Sequence, residues 1–185
     1  MHERPWLAHY PAGVPHQIEL APYTSIISVL QESVDNYRNR PAFSHMGREL
    51  DYAQLDTLSR QFAAYLLGEL KLKKGDRIAI MMPNCLQYPV AVFGALRAGL
   101  TVVNTNPMYT ARELKHQLVD SGAVAMLVLD NFGHTVQQVI ADSQLRHVIT
   151  TGLGDMLGGA KGLLVNFVLK HVKKMVPDYH RDGAV

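Results

Sequence analysis

Gly75-Asp-Arg-Ile-Ala-Ile-Met-Met-Pro-Asn84, then Cys85-Leu-Gln-Tyr-Pro-Val-Ala-Val-Phe-Gly-Ala-Leu-Arg-Ala-Gly99, then Leu100-Thr-Val-Val-Asn-Thr-Asn-Pro107 is the stretch whose reading decides the fold. It begins with a turn followed by an apolar run over 78–82. The run does not alternate apolar with polar, so as a strand it is buried on both faces. Pro83 cannot donate to a sheet ladder and stops the strand. Asn84 is placed to cap the next helix, with Gln87 reaching back to it. Pro89 is tolerable only near the first turn. Gly99 supplies the left-handed residue that ends a helix. Val102 and Val103 then open a second apolar run, closed by Pro107. Strand, helix, strand at this spacing is a βαβ unit, which is parallel and right-handed.

The same alternation continues downstream. Thr110-Ala-Arg-Glu113 is a capping box, Leu114 and Leu118 form the core face of its helix, and Gly122 ends it. A continuous apolar run follows over 124–129. Residues 131–142 read as a short helix with Val136, Val139 and Ile140 inward, and Val148 and Ile149 start a fourth strand. The predicted strands lie near 78–82, 102–105, 124–129 and 147–151, with crossover helices near 86–98, 111–121 and 132–142. This is an α/β, doubly wound, mostly parallel sheet flanked by helices.

Upstream, Thr24 is expected to open a helix carrying Ile27, Leu30, Val34 and Tyr37, ended by Asn39-Arg40-Pro41. Residues 42–46 and 49–52 flank Gly47-Arg48 as a small tight hairpin. Asp51 and Gln54 form a capping pair for a helix whose stripe is Leu55, Leu58, Phe62, Leu66 and Leu70. The basic residues of 71–74 suit its C-terminus. Residues 1–22 hold four prolines and no period. They read as an extended N-terminal arm, with the α/β subdomain over 23–152.

Beyond the sheet, 153–185 reads as a Gly-rich linker plus a basic amphipathic helix. Leu164, Val168, Val172 and Met175 or Val176 line one side, and Lys161, Lys170, Lys173 and Lys174 sit mainly on the other. Arg181 adds to this charge, and Asp178 and Asp182 oppose it. Apolar burial beneath lipid headgroups with cations at an anionic surface is what an interfacial helix requires. Leu164, Val168, Lys170, Val172, Lys173 and Lys174 are therefore the candidate membrane residues.

Composition limits the alternatives. A 185-residue chain is one domain, with or without an appendage. It can bury roughly 70% of its unfolded surface and needs no staples. A net charge of +2 is too small to argue for nucleic acid. Cys85 is the single cysteine, which excludes an internal disulfide framework and a thiolate zinc site, and its apolar context suits a packed thiol. His2, His9 and His16 fall seven apart in a non-helical context, a poor arrangement for a metal. Residues 78–96 carry no charge, but Pro83, Asn84, Gln87 and Pro89 interrupt them, so they read as strand plus core helix rather than a membrane span. The opening 13 residues lack the apolar region of a secretory signal.

A search for chemistry finds little. Gly154 and Gly159 have phosphate-loop spacing, but Ala160 precedes Lys161 and Gly162 replaces the hydroxyl residue, so the stretch reads as a linker. Gly152-Leu-Gly154 lacks the third glycine of a dinucleotide fingerprint. There is no Gly-x-Ser-x-Gly elbow and no His-Glu-x-x-His. Asp76 and Asp130 flank strands, where a carboxylate either binds a ligand or serves a turn. Asn104, Asn106 and Tyr109 either line a crevice or satisfy a loop. The residues alone assign no catalytic, cofactor-binding or metal residue.

Longer runs carry a resemblance. Met-Met-Pro-Asn84, Gln-Tyr-Pro-Val90, Leu-Arg-Ala-Gly99, Val-Val-Asn-Thr-Asn-Pro107, Tyr-Thr-Ala-Arg-Glu-Leu114 and His-Gln-Leu-Val-Asp-Ser-Gly122 resemble bacterial long-chain fatty-acid–CoA ligases of the adenylate-forming superfamily. So do Trp6-Leu-Ala-His-Tyr-Pro-Ala12, Ala160-Lys-Gly-Leu-Leu-Val-Asn-Phe167 and Val176-Pro-Asp-Tyr-His180. The resemblance covers essentially the whole chain. It implies the N-terminal subdomain of that fold, ATP, CoA and Mg²⁺ as cofactors of the whole enzyme, and a long-chain fatty acid as substrate. It also implies a cytoplasmic protein, peripheral on the inner face of the plasma membrane. The family's ATP loop, adenine and ribose motifs and catalytic-lysine domain have no match here, so the chain is expected to be a catalytically incomplete N-terminal third that binds none of these cofactors alone. Truncation would expose apolar surface and favour a homo-oligomer. The competing expectations are a freestanding flavodoxin-like nucleotide-binding module and a membrane-surface adaptor.

Overall fold

In the computed structural model, which describes residues 4–18 and 22–179, six helices and six strands follow in order. They are α1 (Ile26–Tyr37), β1 (Pro41–His45), β2 (Arg48–Asp51), α2 (Tyr52–Gly68), β3 (Arg77–Met81), α3 (Gln87–Arg97) and β4 (Thr101–Asn104). Then come α4 (Ala111–Ser121), β5 (Ala125–Leu129), α5 (Gly133–Gln137), β6 (His147–Thr151) and α6 (Gly159–Phe167). β1 and β2 form a separate antiparallel hairpin. The other strands make one parallel sheet in the order β4-β3-β5-β6.

The unalternated apolar runs serve two helical layers at once, because successive side chains of a strand point to opposite faces. Ala79, Met81, Met126, Val128 and Val148 pack with Leu114 and Leu118 of α4 and Val136 of α5. Ile78 and Ala125 face the other way, onto Ala63 and Leu66 of α2 and Ala95 of α3. Ile80, Leu127 and Leu129 share that second face with Ala91 of α3. The fold is thus a doubly wound α/β sheet, as the alternation of runs predicts. α2 and α3 cross closely at Gly94, where a Cβ would lie 2.8 Å from Phe62 Cδ1 and 3.0 Å from the Ser59 carbonyl oxygen. Arg97 ties the same crossing polar side to polar side, through Asp56 at 2.5 Å and Ser59 Oγ at 3.1 Å.

Local chemistry fixes most element ends. Reciprocal capping boxes form at Asp51–Gln54 and Thr110–Glu113. Hydrogen bonds from the Thr110 backbone and hydroxyl hold the Glu113 carboxyl below the usual carboxylate range. Gly99 and Gly122 take the left-handed conformation at φ +74° and +61°.

Four local expectations are corrected. The first helix is capped by Ser25, through a box with Ser28, one residue after Thr24. The hairpin turn is Met46-Gly47, both at positive φ, so that His45 faces Arg48 one step earlier than Gly47-Arg48 would place it. Asn84 does not cap α3, which follows Leu86 with no side-chain cap. Gln87 instead donates from Nε2 to the Gly152 carbonyl at 2.8 Å, a partner 65 residues away that local reading cannot see. Residues 132–142 are not one helix but the 3₁₀ turn Asp130–Phe132, α5, and the 3₁₀ turn Ile140–Asp142. Val136, Val139 and Ile140 are β-branched and turned into the core, which favours packing over helical continuity.

The described part of the arm, residues 4–18, holds one 3₁₀ turn at Pro5–His9 and is almost wholly exposed. His2 and the segment 180–185, with Arg181 and Asp182, lie outside the described residues.

Candidate functional site

In open α/β sheets ligands enter at the carboxyl ends of the strands, where the strand order reverses. Here the connection from β3 leads to β4 on one side, while that from β5 leads to β6 on the other. The reversal therefore lies between β3 and β5. Past β3, Met82, Cys85 and Leu86 are buried and fill their part of the mouth. Burial also pushes the Cys85 thiol up from its ordinary range.

The polar residues singled out in the sequence divide between the two ends of the sheet. Asp76 lies at the amino end, where its carboxylate accepts from the Lys73 amide at 2.9 Å and pairs weakly with Arg146 at 3.4 Å. That is turn chemistry. Asn104 and Asn106 lie at the carboxyl end but serve the loop. Asn104 Oδ1 accepts from Tyr88 Oη at 3.0 Å and its carbonyl from Gln117 at 3.0 Å, while Asn106 Oδ1 accepts from the Met108 amide at 3.0 Å. The Tyr109 amide donates to the Asn106 carbonyl. Asp130 is the residue that reaches the mouth itself. It follows β5 and accepts from Tyr179 Oη at 2.8 Å.

The glycine-rich stretch after β6, read as a linker, is a packed turn over this mouth. Asp155 Oδ2 accepts from the Gly152 amide at 2.7 Å and from Thr151 Oγ1 at 2.9 Å. Asn166 of α6 accepts from the Gly154 amide at 2.7 Å and donates to Asp155 Oδ1 at 2.7 Å. Gly154 and Gly162 touch backbone to backbone, and a Cβ on either would overlap the other's carbonyl oxygen. Lys161 donates from Nζ to the Met46 carbonyl, bracing the hairpin. A phosphate cradle needs free amides and a free lysine. Here the Gly152 and Gly154 amides and Lys161 are all engaged, so the stretch does not fit ATP phosphates. Among the described residues no group of three or more His, Cys, Asp or Glu assembles that could hold a metal ion.

Asp155 and Asn166 were missed as organising residues, although one amide inside the apolar run Leu163-Leu-Val-Asn-Phe167 is a legible signal. Gln87 and Tyr179 gave none.

The candidate membrane residues lie on α6 and the π-helical turn Val168–Val172 that continues it. Leu164, Lys170, Val172, Lys173 and Lys174 are exposed, whereas Val168 is half-buried. The π turn changes the angular step, so the exposed apolar side chains are Leu163, Leu164, Phe167, Val172 and Met175 rather than a Leu164–Val168–Val172 line. Leu163 and Phe167, at i and i+4, are additions to the face read from the sequence. Among the described residues no helix is long and apolar enough to cross a membrane.

Comparisons with known proteins agree with this architecture. Residues 30–180 match the family described as AMP-binding enzyme. The chain is 52% identical over 183 residues to a long-chain-fatty-acid–CoA ligase of Yersinia pestis, covering 99% of this chain and 33% of that protein. It is 53% identical over 180 residues to one of Escherichia coli O157:H7, covering 97% and 32%. The crystal structure of a long-chain-fatty-acid-CoA ligase from Archaeoglobus fulgidus superposes with a TM-score of 0.66 at 18% identity, over 80% of this chain and 30% of that one. At that identity it supports the fold alone. The chain spans about a third of the length of the curated relatives it matches. With the family model matched over most of its length, the chain belongs to the AMP-binding enzyme family.

Proposed function

We propose that this chain is the N-terminal third of a long-chain fatty-acid–CoA ligase. The observation that carries the reading is identity above half over nearly the whole chain to two proteins named for that activity, each matched over a third of its length. In the whole enzyme a fatty-acid carboxylate oxygen attacks the α-phosphorus of ATP and pyrophosphate leaves. The CoA thiolate then attacks the acyl carbon and AMP leaves. Mg²⁺ and hydrogen-bond donors would neutralise the charge on the transferring phosphoryl group. The described residues supply none of these groups; their part is a rigid doubly wound layer. The chain alone is expected to show no ATP–pyrophosphate exchange with a long-chain fatty acid. Turnover by the purified chain, after removal of host enzyme, contradicts this.

A second proposal concerns place. We infer that α6 and the turn after it contact the anionic inner face of the plasma membrane, from which a long-chain fatty acid is delivered. Leu163, Leu164, Phe167 and Val172 offer apolar burial, and Lys170, Lys173 and Lys174 offer cations. Each lysine near such a surface contributes about 1 kcal/mol, weakened by salt. In co-sedimentation with phosphatidylserine-containing vesicles, the chain is expected to bind and a Lys170→Glu, Lys173→Glu, Lys174→Glu variant to bind at least tenfold less at low salt. Equal binding by both, or none by either, removes the proposal.

Exposed Ile26 of α1, Met108 of the loop after β4 and Val119 of α4 add apolar surface on other elements. We infer that the chain self-associates through such surface as a homo-oligomer. Light scattering is expected to give a mass above the monomer that rises with concentration, and a constant monomer mass overturns the inference.

A further inference from the structure

We propose that residues 175–179 are a strap that closes the carboxyl end of β5 and opens as a unit while the sheet stays intact. Its contacts there include the following. Asn131 Nδ2 donates to the Met175 carbonyl at 2.9 Å. Tyr179 Oη donates to Asp130 Oδ1 at 2.8 Å. The Tyr179 ring lies flat against Gly133, so close that a Cβ there would overlap the ring. The anchors Asp130 and Asn131 lie in the turn after β5 and Gly133 opens α5 directly behind it, and β5 is one of the two strands at which the strand order reverses. Beneath the strap is a cavity of about 80 Å³ lined by Asp130, Asn131, Gly152, Leu153, Asn166 and Val176, large enough for water but not for a ligand of drug size.

The strap differs in kind from the layers it covers. Residues 175–179 are exposed or half-buried throughout, whereas β5 is buried along its whole length and paired on both sides. Segments with few buried apolar contacts open at lower free energy than central strands. The Met175 amide donates to the Leu169 carbonyl and the Lys173 amide to the Val168 carbonyl, two bonds at the point where the strap leaves the helical turn, so they report whether its root stays in place. Release would withdraw the Tyr179 hydroxyl from Asp130 and the Met175 carbonyl from Asn131 together. A polar ligand, or a following stretch of polypeptide, that enters at this strand end must first displace Tyr179.

The test is amide hydrogen exchange on the full 185-residue chain and two variants. Gly133 has a helical φ, near −56°, so Gly133→Ala suits its short helix, and the atoms its Cβ meets first are those of the Tyr179 ring. Tyr179→Phe keeps the ring and removes the hydrogen bond to Asp130. Both are expected to speed exchange at Lys173 and Met175 by about tenfold, with amides of β3 and β5 unchanged. Unchanged exchange at Lys173 and Met175 in both variants overturns the strap, because other contacts then hold the segment. Equal acceleration in β3 and β5 also overturns it, because Tyr179 is then part of the global core. The outcome is independent of ligase activity, so it stands or falls separately from the functional proposal.

Discussion

Gly154→Ala is expected to destabilise the fold by about 3 kcal/mol, lowering Tm by about 6–12 °C for a chain of this size. The backbone at Gly154 has no positive φ, so alanine is not excluded by conformation. What excludes it is the Gly162 carbonyl oxygen, a backbone atom that cannot rotate away. The turn must part from α6, and the hydrogen bonds linking Asn166 to the Gly154 amide and to Asp155 are strained with it. Gly162→Ala makes the converse case. Gly162 is inside α6, where alanine is favoured over glycine by about 1 kcal/mol, yet its Cβ meets the Gly154 carbonyl. The net cost there is expected to be about 2 kcal/mol. Both substitutions break one approach, so the double variant should cost less than their sum. Gly68→Ala, at the end of α2 with open space around it, is the control and is expected to be neutral or slightly stabilising. Thermal unfolding of the four variants checks the set. A Gly154→Ala protein as stable as the parent would mean that the stretch is the loose connector its composition suggests.

That stretch shows where sequence reading reaches its limit. β3 and β5 are legible because their runs are apolar almost throughout and buried on both faces, whereas β4 and β6, only partly buried, show as short β-branched pairs, Val102-Val103 and Val148-Ile149, between helix ends and turns. The Thr110–Glu113 and Asp51–Gln54 caps were legible because each is closed by residues three apart. The glycine-rich turn was not. Its composition reads as a linker, whereas two of its glycines are required by close approach to each other across eight residues. Gln87 was assigned to a local cap, and its amide went to Gly152 instead. Helix 132–142 failed because periodicity records which side faces the core, not whether β-branched residues can hold one continuous helix there. Asp130 was seen to flank a strand, but nothing nearby in the sequence points to Tyr179. The α6 face was read with the period of an α-helix, which the π turn from Val168 interrupts. In each case the decisive partner is distant in the chain or the backbone departs from one regular period.

The largest expected effect is in activity, because it is all or none. The proposed ligase needs phosphate and metal groups that the described residues do not provide: the Gly152 and Gly154 amides and Lys161 are already engaged within the fold. If this chain is the N-terminal third of such an enzyme, the missing two-thirds should restore catalysis when joined to it. The Escherichia coli relative, 53% identical over 180 residues, is close enough to supply them, because its surfaces against this layer should be largely matched. The decisive measurement is acyl-CoA formation from ATP, CoA and a long-chain fatty acid by a chimera in which this chain replaces the corresponding third of that relative, alongside the chain alone. The chimera is expected to form acyl-CoA with Mg²⁺ present, and the chain alone is expected to form none. A chimera that unfolds cooperatively at the temperature of the parent enzyme yet makes no acyl-CoA would contradict the assignment.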